Sequence, residues 1–152
     1  MNTDQDKRLG ALVERLEAAV GPDRELDGRI YWATNRKSAE RAYWQTTTGT
    51  PRALSDEYPP RGLGTYNIET VTPRYTSSID SALTLVPEGQ IWRVSFNGNC
   101  ANATIREPTD QWTRDYIDNA DAIPRDVTAH TPALALTAAA LRSRLSSQSQ
   151  EK

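Results

Sequence analysis

The chain opens with two stretches in which apolar residues recur at helical spacing. In residues 4–20 the intervals are four, three and four residues, as on one face of an α-helix, and the positions are Leu9, Val13, Leu16 and Val20. Gly21 interrupts this pattern, and Pro22 followed by Asp23 is typical of a new helix start. One face of the stretch that follows carries Leu26, Ile30 and Ala33. Two helices are therefore predicted before residue 35.

Residues 35–74 break every regular pattern. Threonine, proline and glycine recur there, among them Gly49, Pro51 and Pro59, and interrupt any element longer than a few residues. Only residues 66–71 have the composition of a strand. Because long structureless loops are uncommon in a compact domain, we interpret this segment as an irregular insertion that holds a short helix, a hairpin or a functional flap.

A compact helix is predicted next. Ser77 followed by Asp80 resembles a capping box, with Asp where Glu or Gln is commoner. The buried face of this helix is predicted to consist of Ile79, Leu83 and Val86. Pro87 and Gly89 are expected to end it.

The following segment changes to the two-residue repeat of a strand, with one face formed by Trp92, Val94 and Phe96. Asn97-Gly98 is the strongest turn pattern in the chain, because both central positions of a type I′ turn need positive φ. The return strand is predicted over residues 100–106. With a two-residue turn at Asn97-Gly98, Arg93 and Arg106 lie on one sheet surface, opposite the surface that carries Trp92.

An acidic stretch precedes the last helix. Residues 107–126 contain six acidic and two basic residues, and we interpret them as a solvated loop anchored by Trp112 and Tyr116. Thr131 is placed to cap a helix in which the φ angle of Pro132 is already set. The buried stripe of that helix is predicted to consist of Leu134, Ala138, Leu141 and Leu145.

These elements predict one domain with an α+β fold. Residues 1–146 are expected to form a small sandwich of three or four helices packed on a mostly antiparallel sheet of at least three strands. Residues 147–152, a polar stretch of serine, glutamine and charged side chains, are predicted to be a disordered tail.

Composition narrows the classes of function. The formal charge of −2 gives no general attraction to nucleic acid, so direct DNA binding is not expected. The single Cys100 permits neither an internal disulfide nor a multi-thiolate metal site, and we expect it to be a partly buried strand residue. No apolar run approaches the roughly 20 residues that span a bilayer, and the N-terminus is polar where a signal peptide would be apolar. A cytoplasmic protein without a membrane partner is predicted.

Three blocks of the sequence resemble the recurring blocks of the phage "ABA sandwich" family, a group of small phage and prophage proteins. These blocks are LDGRI at residues 26–30, YTSSIDSALTLVPEG at residues 75–89 and TPALALTAAALRSR at residues 131–144. The resemblance implies a small sandwich of helices on a mostly antiparallel sheet, and it implies no established active site. Residues 35–74 and 107–126 depart from the family pattern, so a specialised function is expected in those segments.

Candidate catalytic groups are few. His130 is the only histidine and lies one residue before the predicted N-cap, so a Ser/His/Asp relay or a Cys/His pair would have to form around it. We interpret it as a residue of the loop-to-helix junction. Asp115, Asp118 and Asp121 lack the glycine and the closing glutamate of a calcium loop, and we interpret them as a solvated acidic run. A non-enzymatic protein without a metal or a cofactor is predicted.

Arginine beside aromatic residues is the remaining chemical pattern. Aromatic rings can stack on a base while guanidinium groups bind phosphate. The alternative is structural, because tryptophan and tyrosine also close the seam between sheet and helices, and arginine covers its rim. The ligand site that we predict comprises Trp44, Arg61, Tyr66, Trp92, Arg93 and Arg106.

Three hypotheses about function follow. The first is a phage-encoded counter-defence protein that sequesters a nucleotide-derived immune signal, such as a cyclic nucleotide or a molecule of the cyclic ADP-ribose type, in the host cytoplasm. The second is a direct inhibitor of a host defence protein, in the manner of an anti-CRISPR. The third is a small enzyme that acts on such a signal, which the shortage of general bases disfavours. The sequence leaves a homo-oligomer open.

Overall fold

The structure is a computed structural model that describes residues 3–35, 72–107 and 127–150. Its elements in chain order are α1 (Thr3–Ala18), α2 (Arg24–Thr34), α3 (Ile79–Leu83), β1 (Ile91–Phe96), β2 (Ala101–Arg106), β3 (Val127–Ala129) and α4 (Pro132–Gln150). Within these residues the three strands form one antiparallel sheet in the order β1-β2-β3. Four helices and an antiparallel sheet in the described ranges confirm the predicted α+β class.

The last helix, α4, forms the centre of the fold. Every residue from 133 to 141 is buried, and the helix packs on α1, on α3 and on all three strands. A helix that is apolar around its whole circumference is buried on every side. The predicted stripe is therefore correct but too narrow, because Leu136 and the alanines on the other faces of α4 are buried as well.

The first helix, α1, packs on α4 with one apolar face. Leu9, Val13 and Leu16 are buried as predicted, and Leu12 joins them. The prediction for Val20 is wrong, because α1 ends at Ala18 and the Val20 side chain is 79% exposed. Beyond the helix end the chain no longer follows the helical period that had placed this residue on the buried face.

The second helix, α2, begins where the sequence predicted. Asp23 is its N-cap, and Oδ1 of Asp23 accepts a hydrogen bond from the backbone N–H of Leu26 (3.1 Å). Leu26 and Ile30 are buried, and Ala33 is partly buried against the same core. This face of α2 packs on α1.

A buried carboxylate connects α2 to the segment before α3. Asp27 is fully buried, and its Oδ1 accepts a hydrogen bond from the backbone N–H of Thr76 (2.7 Å). Its Oδ2 accepts one from Nη1 of Arg24 (3.1 Å), while Nη2 of Arg24 donates to the carbonyl of Thr72 (3.1 Å). The backbone N–H of Asp23 donates in turn to Oγ1 of Thr76 (2.9 Å). These bonds satisfy the polar groups that the packing removes from water.

Tyr75 joins this segment to two helices. Its side chain is buried, and its hydroxyl accepts a hydrogen bond from Nδ2 of Asn35 at the end of α2 (3.4 Å). Its carbonyl accepts one from Oγ1 of Thr137 in α4 (2.9 Å). Burial, with a smaller contribution from Tyr31, raises the pKa of Tyr75 to about 12. The phenol is therefore neutral near physiological pH.

The start of α3 corrects the predicted capping box. Ser78, not Ser77, is the N-cap, and its Oγ accepts a hydrogen bond from the backbone N–H of Ser81 (3.2 Å). Ile79, predicted to be buried, is 39% exposed, whereas Ala82 and Leu85 are buried in its place. Leu83 and Val86 are partly buried. The helix ends at Leu83, before the stop predicted at Pro87 and Gly89, so the helical period that grouped Ile79, Leu83 and Val86 does not extend to Val86.

The end of α4 corrects the predicted tail. The helix continues to Gln150, where residues 147–152 had been expected to be disordered. Adding a residue to an existing helix avoids the cost of nucleation, so polar residues extend α4 beyond its last buried turn. Nε of Arg144 also donates to the carbonyl of Leu85 (3.1 Å), and Arg142 pairs with Glu17 of α1. Within the described ranges, no helix combines the length and the apolar character of a membrane span.

Candidate functional site

The register of the sheet separates two surfaces with different chemistry. The helix-facing surface consists of Trp92, Val94, Phe96, Ala101, Ala103, Ile105, Val127 and Ala129. The polar surface consists of Ile91, Arg93, Ser95, Asn102, Thr104, Arg106 and Thr128. Residues that are paired across antiparallel strands point to the same side of the sheet, so the register assigns each side chain to its surface.

The turn between β1 and β2 differs from the prediction. Phe96 pairs with Ala101, and the backbone N–H of Asn97 donates to the carbonyl of Cys100 (3.2 Å), so the central residues are Gly98 and Asn99. Gly98 has φ of +96°, and no residue other than glycine in the described ranges has positive φ. Glycine adopts positive φ without steric cost, and Oδ1 of Asn97 accepts a hydrogen bond from the backbone N–H of Cys100 (3.0 Å) across this turn.

The side chains nevertheless lie on the surfaces that the sequence predicted. Moving the two central residues one position along the chain shifts the cross-strand register by two residues. Side chains alternate with a period of two, so a two-residue shift leaves every side chain on its predicted surface. Arg93 and Arg106 accordingly share the polar surface, as the sequence predicted.

The two arginines are diagonal neighbours on that surface. Arg93 pairs directly with Thr104, and Arg106 lies two residues farther along β2, so their backbones are about 7–8 Å apart. Both arginines are half-buried, and Nη1 of Arg106 donates to the carbonyl of Ile105 (3.1 Å). The two arginines therefore lie side by side on one surface of the sheet.

Neutral hydrogen-bonding groups lie beside the arginine pair. Thr104, which is 4% exposed, sits between Arg93 and Arg106 in the register. Asn102 pairs with Thr128 of β3, and Oγ1 of Thr128 donates to Oδ1 of Asn102 (2.8 Å). This bond leaves the amide NH2 of Asn102 with donor capacity beside the arginines.

Trp92 does not share a surface with the arginines. It lies on the helix-facing surface of β1, yet it is 45% exposed, and Phe96 on the same surface is 54% exposed. α4 packs mainly on β2 and β3, and β1 is an outer strand of the described sheet. The two rings therefore form an exposed aromatic pair at the margin of the core.

Three of the predicted site residues, Trp44, Arg61 and Tyr66, lie outside the described residues. The same holds for the strand predicted at residues 66–71 and for residues 108–126 of the acidic loop. Where the three residues lie relative to Arg93 and Arg106 stays a prediction from the sequence.

The third strand, β3, was not predicted from the sequence, and neither was the position of Thr128 on the polar surface. The alternation of Val127, Thr128 and Ala129 from apolar to polar to apolar is the pattern of a strand, but three residues are too few to distinguish it from chance. Pairing with β2 establishes the strand, because it places the side chains of Val127 and Ala129 in the core. Thr128 then completes the polar surface.

Other candidate groups have ordinary positions. His130 is exposed in the connection to α4, and the N-cap predicted at Thr131 is confirmed, because Oγ1 of Thr131 accepts a hydrogen bond from the backbone N–H of Leu134 (3.3 Å). Cys100 is half-buried as expected, but it belongs to the turn and not to β2. The part of the chain that the structure describes contains no group of three or more histidine, cysteine, aspartate or glutamate side chains that could hold a metal ion.

Comparison with models of protein families, with curated proteins and with solved structures finds no match to this chain. The resemblance to the phage ABA sandwich family stays a hypothesis from the sequence.

Proposed function

We propose that the chain is a phage-type counter-defence protein that binds and sequesters a nucleotide-derived immune signal. The observation that carries this proposal is the position of Arg93 and Arg106 on one surface of neighbouring strands. The polar surface of the sheet is the proposed contact for the phosphate groups of the signal. The phage context comes from the sequence resemblance and from no other observation.

Two diagonal guanidinium groups suit a phosphorylated ligand. Each guanidinium presents a planar set of N–H donors that matches phosphate oxygens, and charge-assisted hydrogen bonds are stronger than neutral ones. The amide of Asn102 supplies a further donor on the same surface.

The composition of the polar surface favours binding over turnover. It presents arginine, threonine, serine and asparagine, which are hydrogen-bond donors or neutral groups. None of these side chains accepts a proton readily near neutral pH, as a general base must. A stoichiometric complex is therefore the form of activity that we propose. Trp44 and Tyr66 remain the predicted stacking residues for the base.

Equilibrium dialysis with labelled cyclic dinucleotides and a labelled cyclic ADP-ribose tests this proposal. We expect one of them to bind at a ratio near one per protomer, or one per interface if the chain is a homo-oligomer. The bound molecule should be recovered unmodified after the protein is denatured by heat. Chemical turnover would instead make the protein an enzyme.

The arginine variants locate the site. Arg93→Ala and Arg106→Ala should each weaken binding by about 1.5–3 kcal/mol, roughly a ten- to hundredfold increase in Kd, because each removes a charge-assisted hydrogen bond. Arg29→Ala is the matched control, since Arg29 pairs with Glu25 on the surface of α2, far along the chain from the sheet. Wild-type affinity in both sheet variants would place the site elsewhere.

The exposed aromatic pair favours a second candidate function, direct inhibition of a host defence protein. Tryptophan is enriched among the residues that dominate binding at protein interfaces, and Trp92 and Phe96 present large apolar surfaces to solvent. In that case Trp92→Ala should abolish capture of the host protein, and Arg93→Ala should reduce it only weakly. The opposite ranking of the two variants would favour the sequestered signal.

A further inference from the structure

The turn between β1 and β2 holds a side-chain amide against the backbone that follows it. Oδ1 of Asn97 accepts hydrogen bonds from the backbone N–H groups of Asn99 (2.9 Å) and Cys100 (3.0 Å). Nδ2 of Asn97 donates to Sγ of Cys100 (3.7 Å). Asn97, Gly98 and Asn99 are all exposed. The carboxamide is thus folded over the turn, in reach of solvent.

We propose that Asn97 is a site of spontaneous covalent modification in the folded protein. The backbone nitrogen of Gly98 loses its proton to solvent and attacks Cγ of Asn97, which forms a C–N bond and closes a five-membered succinimide. The bond from Cγ to Nδ2 breaks, and the nitrogen leaves as ammonia after it takes up a proton from water. One water molecule then opens the ring at either carbonyl and yields aspartate or isoaspartate.

Three features of the turn support this reaction. Glycine has no Cβ, so no side chain at residue 98 hinders the approach of the attacking nitrogen. The N–H of Gly98 makes no hydrogen bond with any described residue, so removing its proton breaks no backbone bond. The two N–H groups that point at Oδ1 stabilise the negative charge that develops on this oxygen when the carbonyl is attacked.

Asn102 provides an internal comparison in the same hairpin. It is followed by Ala103, lies within β2, and pairs on both sides, with Ser95 of β1 and with Thr128 of β3. Its Oδ1 accepts a hydrogen bond from the hydroxyl of Thr128 (2.8 Å), on the neighbouring strand, and none from a backbone N–H of the described residues. Strand geometry and the alanine Cβ both hinder ring closure there, so Asn102 should stay unmodified.

The product changes the hairpin chemically. Either form of the product replaces a neutral amide with a carboxylate beside the exposed Phe96. Isoaspartate also routes the backbone through the former side chain, which adds one atom to the turn and disturbs the pairing of Phe96 with Ala101.

Peptide mapping by mass spectrometry tests the proposal on the full-length protein. After incubation at mildly alkaline pH, the peptide that contains Asn97 should gain about one dalton and elute as two products, aspartate and isoaspartate, while Asn102 remains an amide. In Asn97→Gln the longer side chain would have to close a six-membered ring, and the gain in mass should disappear. Modification at Asn102 that is as fast as at Asn97 would overturn the proposal.

A second comparison separates reaction in the fold from reaction after unfolding. If the reaction required global unfolding, the rate would fall with the unfolded fraction, by about a thousandfold or more. Because the turn is exposed and the Asn97 carboxamide is already folded over it, we expect the rate in the native protein to lie within about tenfold of the rate in denaturant. If the native protein reacts more than about tenfold more slowly than the denatured protein, the folded turn does not favour the reaction and the proposal is contradicted.

Discussion

The two surfaces of the sheet are made from the same three strands but have opposite composition. On the helix-facing surface, Ala101, Ala103 and Ala129 are almost completely buried against α4. On the polar surface, alternate positions of the same strands carry Arg93, Arg106 and an Asn102–Thr128 hydrogen bond. The register assigns each residue to one of these two environments, and a shift by one residue would exchange them.

We propose that the helix-facing surface stabilises the fold and that the polar surface carries recognition. Small side chains on β2 and β3 let the alanine-rich α4 approach the sheet closely, so the interior depends on close packing between methyl groups and leucines. The polar surface carries the two half-buried arginines and neutral hydrogen-bonding groups, and it is the surface that we propose to bind an anion. Substitutions on the helix-facing side should change the free energy of unfolding, and substitutions on the polar side should change binding.

The largest expected effect is at the centre of the buried helix. Leu141→Asp places an unpaired carboxylate at a position that is fully buried, and it should cost several kcal/mol, a large part of the roughly 5–15 kcal/mol that stabilises a domain. Loss of soluble folded protein, or a much lower Tm in circular dichroism, is the expected result. Ser146→Asp on the exposed part of the same helix is the control and should shift Tm only slightly.

An unchanged Tm for Leu141→Asp would show that α4 does not occupy the centre of the fold. The contrast between the two sheet surfaces would then lose its basis, because α4 is the element that buries one of them.

A somewhat smaller effect is expected at the buried carboxylate of α2, the exception to an apolar interior. Asp27→Ala removes the acceptor of the Thr76 N–H and one of the acceptors of the Arg24 guanidinium, and it should destabilise the fold by about 2–4 kcal/mol. Urea denaturation measures this change. Glu25→Ala, which removes an exposed carboxylate from the same helix, should cost less than about 1 kcal/mol. Equal losses in the two variants would show that the Asp27 network contributes no more than a surface pair.

The two surfaces can be compared directly by adding the same side chain to each. Ala103→Leu inserts three carbon atoms between β2 and α4 and should cost about 1–3 kcal/mol through overpacking. Ser95→Leu adds a leucine to an exposed position of the polar surface and should change stability by less than about 0.5 kcal/mol. Chemical denaturation of both variants measures the two losses of stability. A larger loss in Ser95→Leu than in Ala103→Leu would show that the polar surface, and not the helix-facing surface, is the closely packed one.

A pH dependence is expected from Tyr75 in the core, and it appears only at alkaline pH. In the unfolded chain its phenol loses a proton near pH 10, whereas burial raises the pKa in the folded protein to about 12. Between these values the unfolded state binds fewer protons, so stability is full below about pH 10 and declines as the pH rises toward 12. The urea midpoint should fall less over this range in Tyr75→Phe than in the wild type. An identical fall of the urea midpoint in both proteins would show that groups other than Tyr75 cause the pH dependence.

The sequence predicted the elements that carry strong periodicity and failed where tertiary contacts decide. The buried positions Leu9, Val13 and Leu16 of α1 and the surface shared by Arg93 and Arg106 follow from spacing, because a helix or strand repeats its geometry at each residue. The start of α2 follows from residue type, since Pro22 and Asp23 favour a helix start. Spacing could not show that α1 stops before Val20, that Ser78 replaces Ser77 as the cap, or that β3 exists. Each of these depends on a boundary or on a pairing partner that lies far along the chain.

The candidate site was predictable only in part for the same reason. Alternation in the hairpin assigned Arg93 and Arg106 to one surface and Trp92 to the other, and this assignment is insensitive to a two-residue change in register. The exposure of Trp92 depends on how far α4 extends over β1, which no local pattern encodes.

One measurement tests the division between stability and recognition most directly. It is the Tm of the Arg93→Ala/Arg106→Ala double variant, compared with the wild type, in the absence and presence of the cyclic nucleotide or cyclic ADP-ribose that the wild type binds. A ligand at about one hundred times its Kd stabilises the protein that binds it by about 2.7 kcal/mol. We expect the double variant to melt at the wild-type temperature without ligand and to lose the ligand-induced rise. A preserved rise, or a lowered Tm without ligand, would contradict the assignment of recognition to the polar surface.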